Sequence, residues 1–299
     1  MKFKYHNRYD YLPIIDRANY DWPENKRLAL HVALNIEHFD LGGTGHFAAA
    51  LGHPPDHRNY AWREYGVRLG FWRLMELFDQ YALPASHLVN TACYDFYPQV
   101  FERIRQRGDE IVGHGRTNSE RQGELPEEDE ARLIHEVTET IRQQEGAPPR
   151  GWMGPWISES HVTLDLLKEE GYDYCMDWPC DDQPSWLRTR SGPILSVPYP
   201  TELNDAPSQL TRHEQPSDFA NLVIDQFDEM LRQSEEAPLV MGISLHTFIM
   251  GQPFRISHLR RAFDYIRNHK DVGRVWFARP GEIAAHVMSL PEGVVGRPA

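Results

Sequence analysis

An apolar run of strand length followed by a helical stretch recurs about seven times along this chain, and no other feature limits its folds as much. The first run, RLALHVALNI at 27–36, suits a buried parallel strand. Beyond a Gly-, His- and Pro-rich loop, Val67, Phe71, Leu74, Phe78 and Tyr81 recur at spacings of four and three, one face of a helix. Strand candidates follow at 85–93, 110–115, in GWMGP, in YDYCMDW, at 238–246 and in VWFARP. Helical stretches separate them at 98–107, at 125–144 with Pro126 near the first turn, and at 163–170, closed by Gly171. Two later helices are expected to start on Ser217 and Ser257 as N-caps. No Ser- or Pro-rich linker interrupts the alternation, so one domain over 1–299 is expected, with its core at about 27–288. For that length a closed parallel barrel fits better than two small open sheets.

In such barrels chemistry sits on the loops just after the strand C-termini. Glu37 and His38 end the first strand, His114 the third, and His246 follows the apolar run MGISL. Taken singly, each is as well explained by a solvated strand end or a satisfied turn histidine. Ending three different strands, Glu37, His114 and His246 can converge on one mouth as base, partner and acid. Trp152, Trp156, Asp177 and Trp186 fall in neighbouring loops as candidate pocket residues, as do Asn204 and Asp205 after SVPYP. The loop histidines His46, His53 and His57 are spaced too irregularly for a metal site.

Acidic side chains outnumber basic ones, 44 to 31, for a formal charge of −13, which disfavours nucleic acid and anionic membrane as partners. No run of 18 apolar residues is present to span a membrane. The leading residues MKFKYHNRYDYL lack an apolar signal core. Three irregularly placed cysteines make no disulfide framework or structural zinc site, so a reducing cytoplasm is expected.

In order, LNIE, EYGVRLGFWRL, GHGRTN, GWMGPW, DDQPSW, VPYPTELND and LHTFIMGQPFR resemble the polysaccharide-deacetylase superfamily. The likeness is to its small-amide branch, the cofactor-independent allantoinases and cyclic-imide hydrolases. The resemblance implies a distorted (β/α) barrel of the polysaccharide-deacetylase type and a homo-oligomer, with a tetramer as the form expected. Metal-dependent members hold zinc or a similar ion on an Asp–His–His set, with a second Asp as base and a late His as acid. Residue by residue, the late His maps onto His246 and the first metal His onto His114. The second metal His maps onto Asn118. The metal Asp maps onto Glu37 or His38, and the base Asp onto Asn35 or Glu37 respectively.

Asn118 offers a neutral carbonyl oxygen, a poorer zinc ligand than imidazole. The expectation is therefore a site with no metal cofactor; the alternative is zinc held by Glu37 or His38 with His114 and one further ligand. The function expected is hydrolysis of a non-peptide C–N bond in a small cyclic amide, ureide or imide. Glu37, His114 and His246 carry the chemistry, with Asn35, Asn118, Trp152, Trp156, Asp177, Trp186 and Asn204 against the substrate. Two other readings stand beside it: metal-dependent N-deacetylation of a sugar or peptidoglycan fragment, and a ligand-binding pseudoenzyme.

Overall fold

The computed structural model describes residues 6–42 and 56–296; His46 and His53 lie outside them. Among the described residues one sheet contains β1 (Leu28–Ile36), β2 (Ala85–Val89), β3 (Glu110–Gly113), β4 (Gly151–Trp152), β5 (Tyr174–Cys175), β6 (Ser185–Leu187), β7 (Ile194–Ser196), β8 (Leu239–His246) and β9 (Val275–Phe277). Its order is β6-β7-β5-β4-β3-β2-β1-β8. One edge of β1 pairs with β8 from Leu28 to Asn35. Its other edge takes β9 over Leu28–Leu30 and β2 over Val32–Ile36. All pairings are parallel except the antiparallel β6–β7 hairpin.

The curled sheet makes the expected α/β barrel, but its hydrogen-bond ladder does not close. The free edge of β8 is met by irregular backbone instead: Val240 N–H donates to the Asp182 carbonyl at 2.8 Å and Ser244 N–H to that of Leu203 at 2.9 Å. These contacts satisfy backbone donors that this buried edge strand would otherwise leave unpaired.

Side-chain parity sorts the two faces of the sheet. In β1 the large residues Leu28, Leu30, Val32, Leu34 and Ile36 pack under the helices, while Ala29 and Ala33 join the inner core. In β8 Leu239, Met241, Ile243 and Leu245 face outward and Val240 inward. Because the period is two, Asn35 and Glu37 follow Ala33, and His246 follows Val240, toward the barrel interior. The same count carries His114 inward from Val112.

Helices Pro98–Arg107 and Thr163–Glu170 match the sequence expectation, and Glu127–Glu145 matches it within two residues. Gly171 ends helix Thr163–Glu170 with φ 100°, the left-handed conformation that glycine adopts without a Cβ penalty. Two N-termini differ. The late helices begin at Pro216 and Pro253, one and four residues before Ser217 and Ser257, and their caps are Gln215 and Gln252. Proline fixes φ at the first helical position, so it sets each start ahead of the serine.

The helix pair His57–Tyr65 and Phe71–Gln80 is joined by a wide turn at Gly66–Gly70. A Cβ on Gly70 would lie 2.0 Å from the carbonyl oxygen of Thr247. That close approach locks the first helical layer against the segment directly after His246. No helix among the described residues is long and apolar enough to cross a membrane.

Candidate active site

Glu37, His114 and His246 meet at the barrel mouth, in a pocket of about 160 Å³ lined also by Asn35, Phe39, Arg63, Asn118, Met153, Trp156, Tyr199, Asn204 and Phe248. Glu37 Oε1 is the focus. Asn118 Nδ2 donates to it at 2.5 Å, and the Nε2 atoms of His246 and His114 lie 3.6 and 3.8 Å away. The two imidazole separations exceed a direct hydrogen bond, a gap that a bridging oxygen atom can span.

Each histidine is oriented from behind. His114 Nδ1–H donates to the Met153 carbonyl at 2.5 Å, which turns Nε2 toward Glu37. His246 Nδ1 lies 2.6 Å from Asp205 Oδ1, and the backbone N–H of His246 donates to Asp205 Oδ2 at 2.8 Å. Asp205 is fully buried. Burial raises its carboxyl above the usual range, against the opposing pull of His246.

The charges follow from this arrangement. Burial alone would lower the pKa of His246, but Glu37 and Asp205 overcome it and push the imidazole up to about 10. Burial alone would raise Glu37; the charge of His246 and the nearby imidazole of His114 hold it well below the usual carboxylate range. The resting pair is therefore a carboxylate facing an imidazolium.

Arg63 Nη1 lies 3.9 Å from Glu37 Oε2. Its guanidinium carbon sits 3.7 Å from the centroid of the Phe39 ring and 4.5 Å from that of Phe248. Burial pulls its pKa down to about 10 against the pull of Glu37, which leaves it charged at neutral pH.

Among the remaining sequence candidates, Asn35, Asn118, Trp156 and Asn204 line the pocket. Asn35 Nδ2 donates to the Leu245 carbonyl at 3.0 Å, tying β1 to β8 beneath the site. Trp156 Nε1 donates to the Asn118 carbonyl at 2.9 Å, from a backbone at φ 65°.

Four candidates stand elsewhere. Trp152 is fully buried in the outer core, edge-on to Tyr172, because it alternates with the inward Met153. Asp177 has the outward parity of Cys175 and is buried behind the mouth, where Oδ1 accepts from Gly154 N–H at 2.7 Å. Trp186 belongs to the antiparallel hairpin, paired with Leu195, and lines a separate cleft beside Arg17 and Asp181. His38 has the outward parity of Ile36: its ring stacks on Phe96 at 4.5 Å, outside the pocket.

This donor set does not suit the zinc site of the metal-dependent pattern. His38 faces away. Asn118 turns its amide nitrogen to Glu37, while its Oδ1 accepts from Asn90 Nδ2 at 3.1 Å. Among the described residues no three His, Cys, Asp or Glu side chains are grouped so as to hold a metal ion.

Two roles escape a sequence reading. Asp205 is expected there only as a residue shaping the pocket, and its pairing with His246 needs the fold. Arg63 stands one residue before the EYG segment, in a helix whose buried positions are Asn59 and Arg63 rather than an apolar stripe.

The polysaccharide deacetylase family model matches residues 64–175. A Schizosaccharomyces pombe protein assigned to the polysaccharide deacetylases is 27% identical over 300 residues, covering 88% of this chain and 91% of its own. The crystal structure of PuuE allantoinase superposes with a TM-score of 0.80 at 27% identity, covering 90% of this chain and 93% of its own. A Pseudomonas aeruginosa PAO1 structure, also assigned as a polysaccharide deacetylase, gives a TM-score of 0.77 at 27% identity, covering 89% and 92%. With the curled parallel sheet, these likenesses show that the chain is similar in sequence and fold to the polysaccharide-deacetylase superfamily, whose deacetylases and allantoinase are hydrolases acting on C–N bonds.

Proposed function

We propose that this chain hydrolyses a non-peptide C–N bond in a small cyclic amide, ureide or imide, without a metal cofactor. The observation that carries the reading is the facing pair of Glu37 carboxylate and His246 imidazolium, 3.6 Å apart in a pocket of about 160 Å³. Drug-sized ligands occupy pockets of roughly 300–1,000 Å³, so this one suits a compact ring. Phe39, Trp156, Tyr199 and Phe248 supply apolar and aromatic walls for it.

In this mechanism a water between Glu37 and the substrate carbonyl gives its proton to Glu37, and its oxygen bonds to the carbonyl carbon. The C–N bond then breaks as His246 passes its proton to the leaving nitrogen. Asp205 keeps the imidazole oriented and stabilises its charge, while His114 and Asn118 hold Glu37 in place. General acid and base help are each worth about 10²–10⁴-fold. Asn118, where metal-dependent members have an imidazole, supports the metal-free form of the reading.

A second reading, N-deacetylation of a sugar fragment, is favoured by the assignment of two of the similar proteins as polysaccharide deacetylases. The comparison of kcat/KM on allantoin, hydantoins and succinimide-type rings with N-acetylated chitooligosaccharides separates the two. Ring opening is expected to be the faster reaction. Turnover of the oligosaccharides without ring opening would replace the first reading by the second, and binding without any turnover would leave a pseudoenzyme.

The proposal extends to setting and assembly. Cys93, Cys175 and Cys180 are all unpaired, which suits a reducing cytoplasm. A homotetramer is proposed from the resemblance to the small-amide branch.

A further inference from the structure

We propose that Arg63 is a catalytic residue of this hydrolysis, its guanidinium fork taking the oxyanion that forms when the carbonyl is attacked. The inference rests on the hydrolytic reading above and supplies the donor which that mechanism otherwise lacks. Three observations carry it. Arg63 lines the same pocket as Glu37 and His246. Its side chain is only 6% exposed and its guanidinium lies close to the rings of Phe39 and Phe248, so the charge is held in place in a largely desolvated site. Its Nη1 is 3.9 Å from Glu37 Oε2, near enough to feel that charge but beyond hydrogen-bond length.

The electron count makes the exchange of partners specific. At rest Arg63 balances the Glu37 carboxylate. During attack, one O–H bond of water breaks and its proton goes to Glu37, which becomes neutral. The water oxygen bonds to the carbonyl carbon, and the C=O π pair moves onto the carbonyl oxygen. The negative charge thus leaves Glu37 and appears on the substrate, within the field of the same guanidinium. When the intermediate collapses, that electron pair re-forms C=O, the C–N bond breaks, and nitrogen takes the proton from His246. Arg63 remains protonated throughout. A preorganised donor in a dry site stabilises such a charge without reorganising. The planar fork suits a carboxyl-like oxygen better than an ammonium does.

The variants Arg63→Gln and Arg63→Met remove the charge, and Met preserves most of the apolar stem between the two rings. Each is assayed, after circular-dichroism melting establishes its fold, on whichever substrate class the wild-type protein turns over. Wild-type turnover of rings or of acetylated sugars decides the functional reading; the variant-to-wild-type ratio on that substrate decides the role of Arg63. The expected result is a fall in kcat of about 10²–10³-fold with KM changed by less than about threefold. The pH midpoints should stay in place while the plateau drops. If the plateau is preserved and the acidic limb moves up, Arg63 only tunes Glu37 and the proposal is overturned. A folded variant with kcat near normal overturns it as well. Should both neutral variants fail to fold, Arg63→Lys decides. It keeps the charge but not the fork, so kcat falling about tenfold at constant KM supports the inference and an unchanged kcat refutes it.

Discussion

Asp205→Asn tests whether the buried carboxylate behind His246 sets the acid. Asp205 accepts from the imidazole Nδ1 at 2.6 Å and from the backbone N–H of the same residue at 2.8 Å. An amide can present one carbonyl oxygen, so it keeps one of these contacts and loses the charge from both. A hydrogen bond to a charged group contributes about 1.5–3 kcal/mol. At about 1.36 kcal/mol per pKa unit, His246 should therefore drop by about one to two units. From about 10 in the wild-type protein, its proton would then leave near pH 8–9 by the same scale.

The folded pKa of His246 is raised above its unfolded value, so this contribution is fully present below about pH 6.5 and is lost as pH rises through the folded value. In the variant that loss arrives at lower pH. The assay is the pH profile of kcat/KM together with thermal melts at pH 6 and pH 9. The account expects the basic limb to move down by one to two units and a smaller pH 6 advantage in the variant. A basic limb that stays in place, with unaltered melting, would refute the coupling of Asp205 to the acid.

Gly70→Ala should lower the thermal midpoint with an overpacking cost of about 1–3 kcal/mol, because the added Cβ would meet the Thr247 carbonyl oxygen at 2.0 Å; an unchanged melt would contradict the close packing. Dialysis against a strong chelator should leave turnover intact. Complete loss that zinc restores would show that a metal does the work assigned to the side chains. Light scattering at micromolar concentration should give four times the chain mass, and a monomer would end the tetramer proposal.

How far the site could be read from sequence depends on strand parity and strand length. β1 is buried on both faces, which erases the usual alternation between buried and exposed positions. An alternation of kind remains: the small or polar Ala29, His31, Ala33 and Asn35 against the aliphatic Leu30, Val32, Leu34 and Ile36. Counted forward, it selects Glu37 over His38 for the interior. The same reasoning serves His246 in the long strand β8.

It gives no purchase at β4 and β5, which are two residues each, so the sequence does not show that Trp152 and Asp177 turn away from the pocket. Trp186 fails for another reason, since nothing in its composition marks an antiparallel hairpin among parallel units. Arg63 fails because helix His57–Tyr65 buries Asn59 and Arg63 rather than an apolar stripe, and a buried arginine has no sequence period.

The most direct test of the central claim is kcat for Glu37→Gln on the ring substrate at neutral pH. Gln retains the size of the side chain and an oxygen toward Asn118 and His246, but it cannot take a proton from water. The account predicts a folded protein with kcat reduced by at least about 10²-fold and substrate binding largely kept. A folded Glu37→Gln protein that opens the ring at the wild-type rate would contradict it.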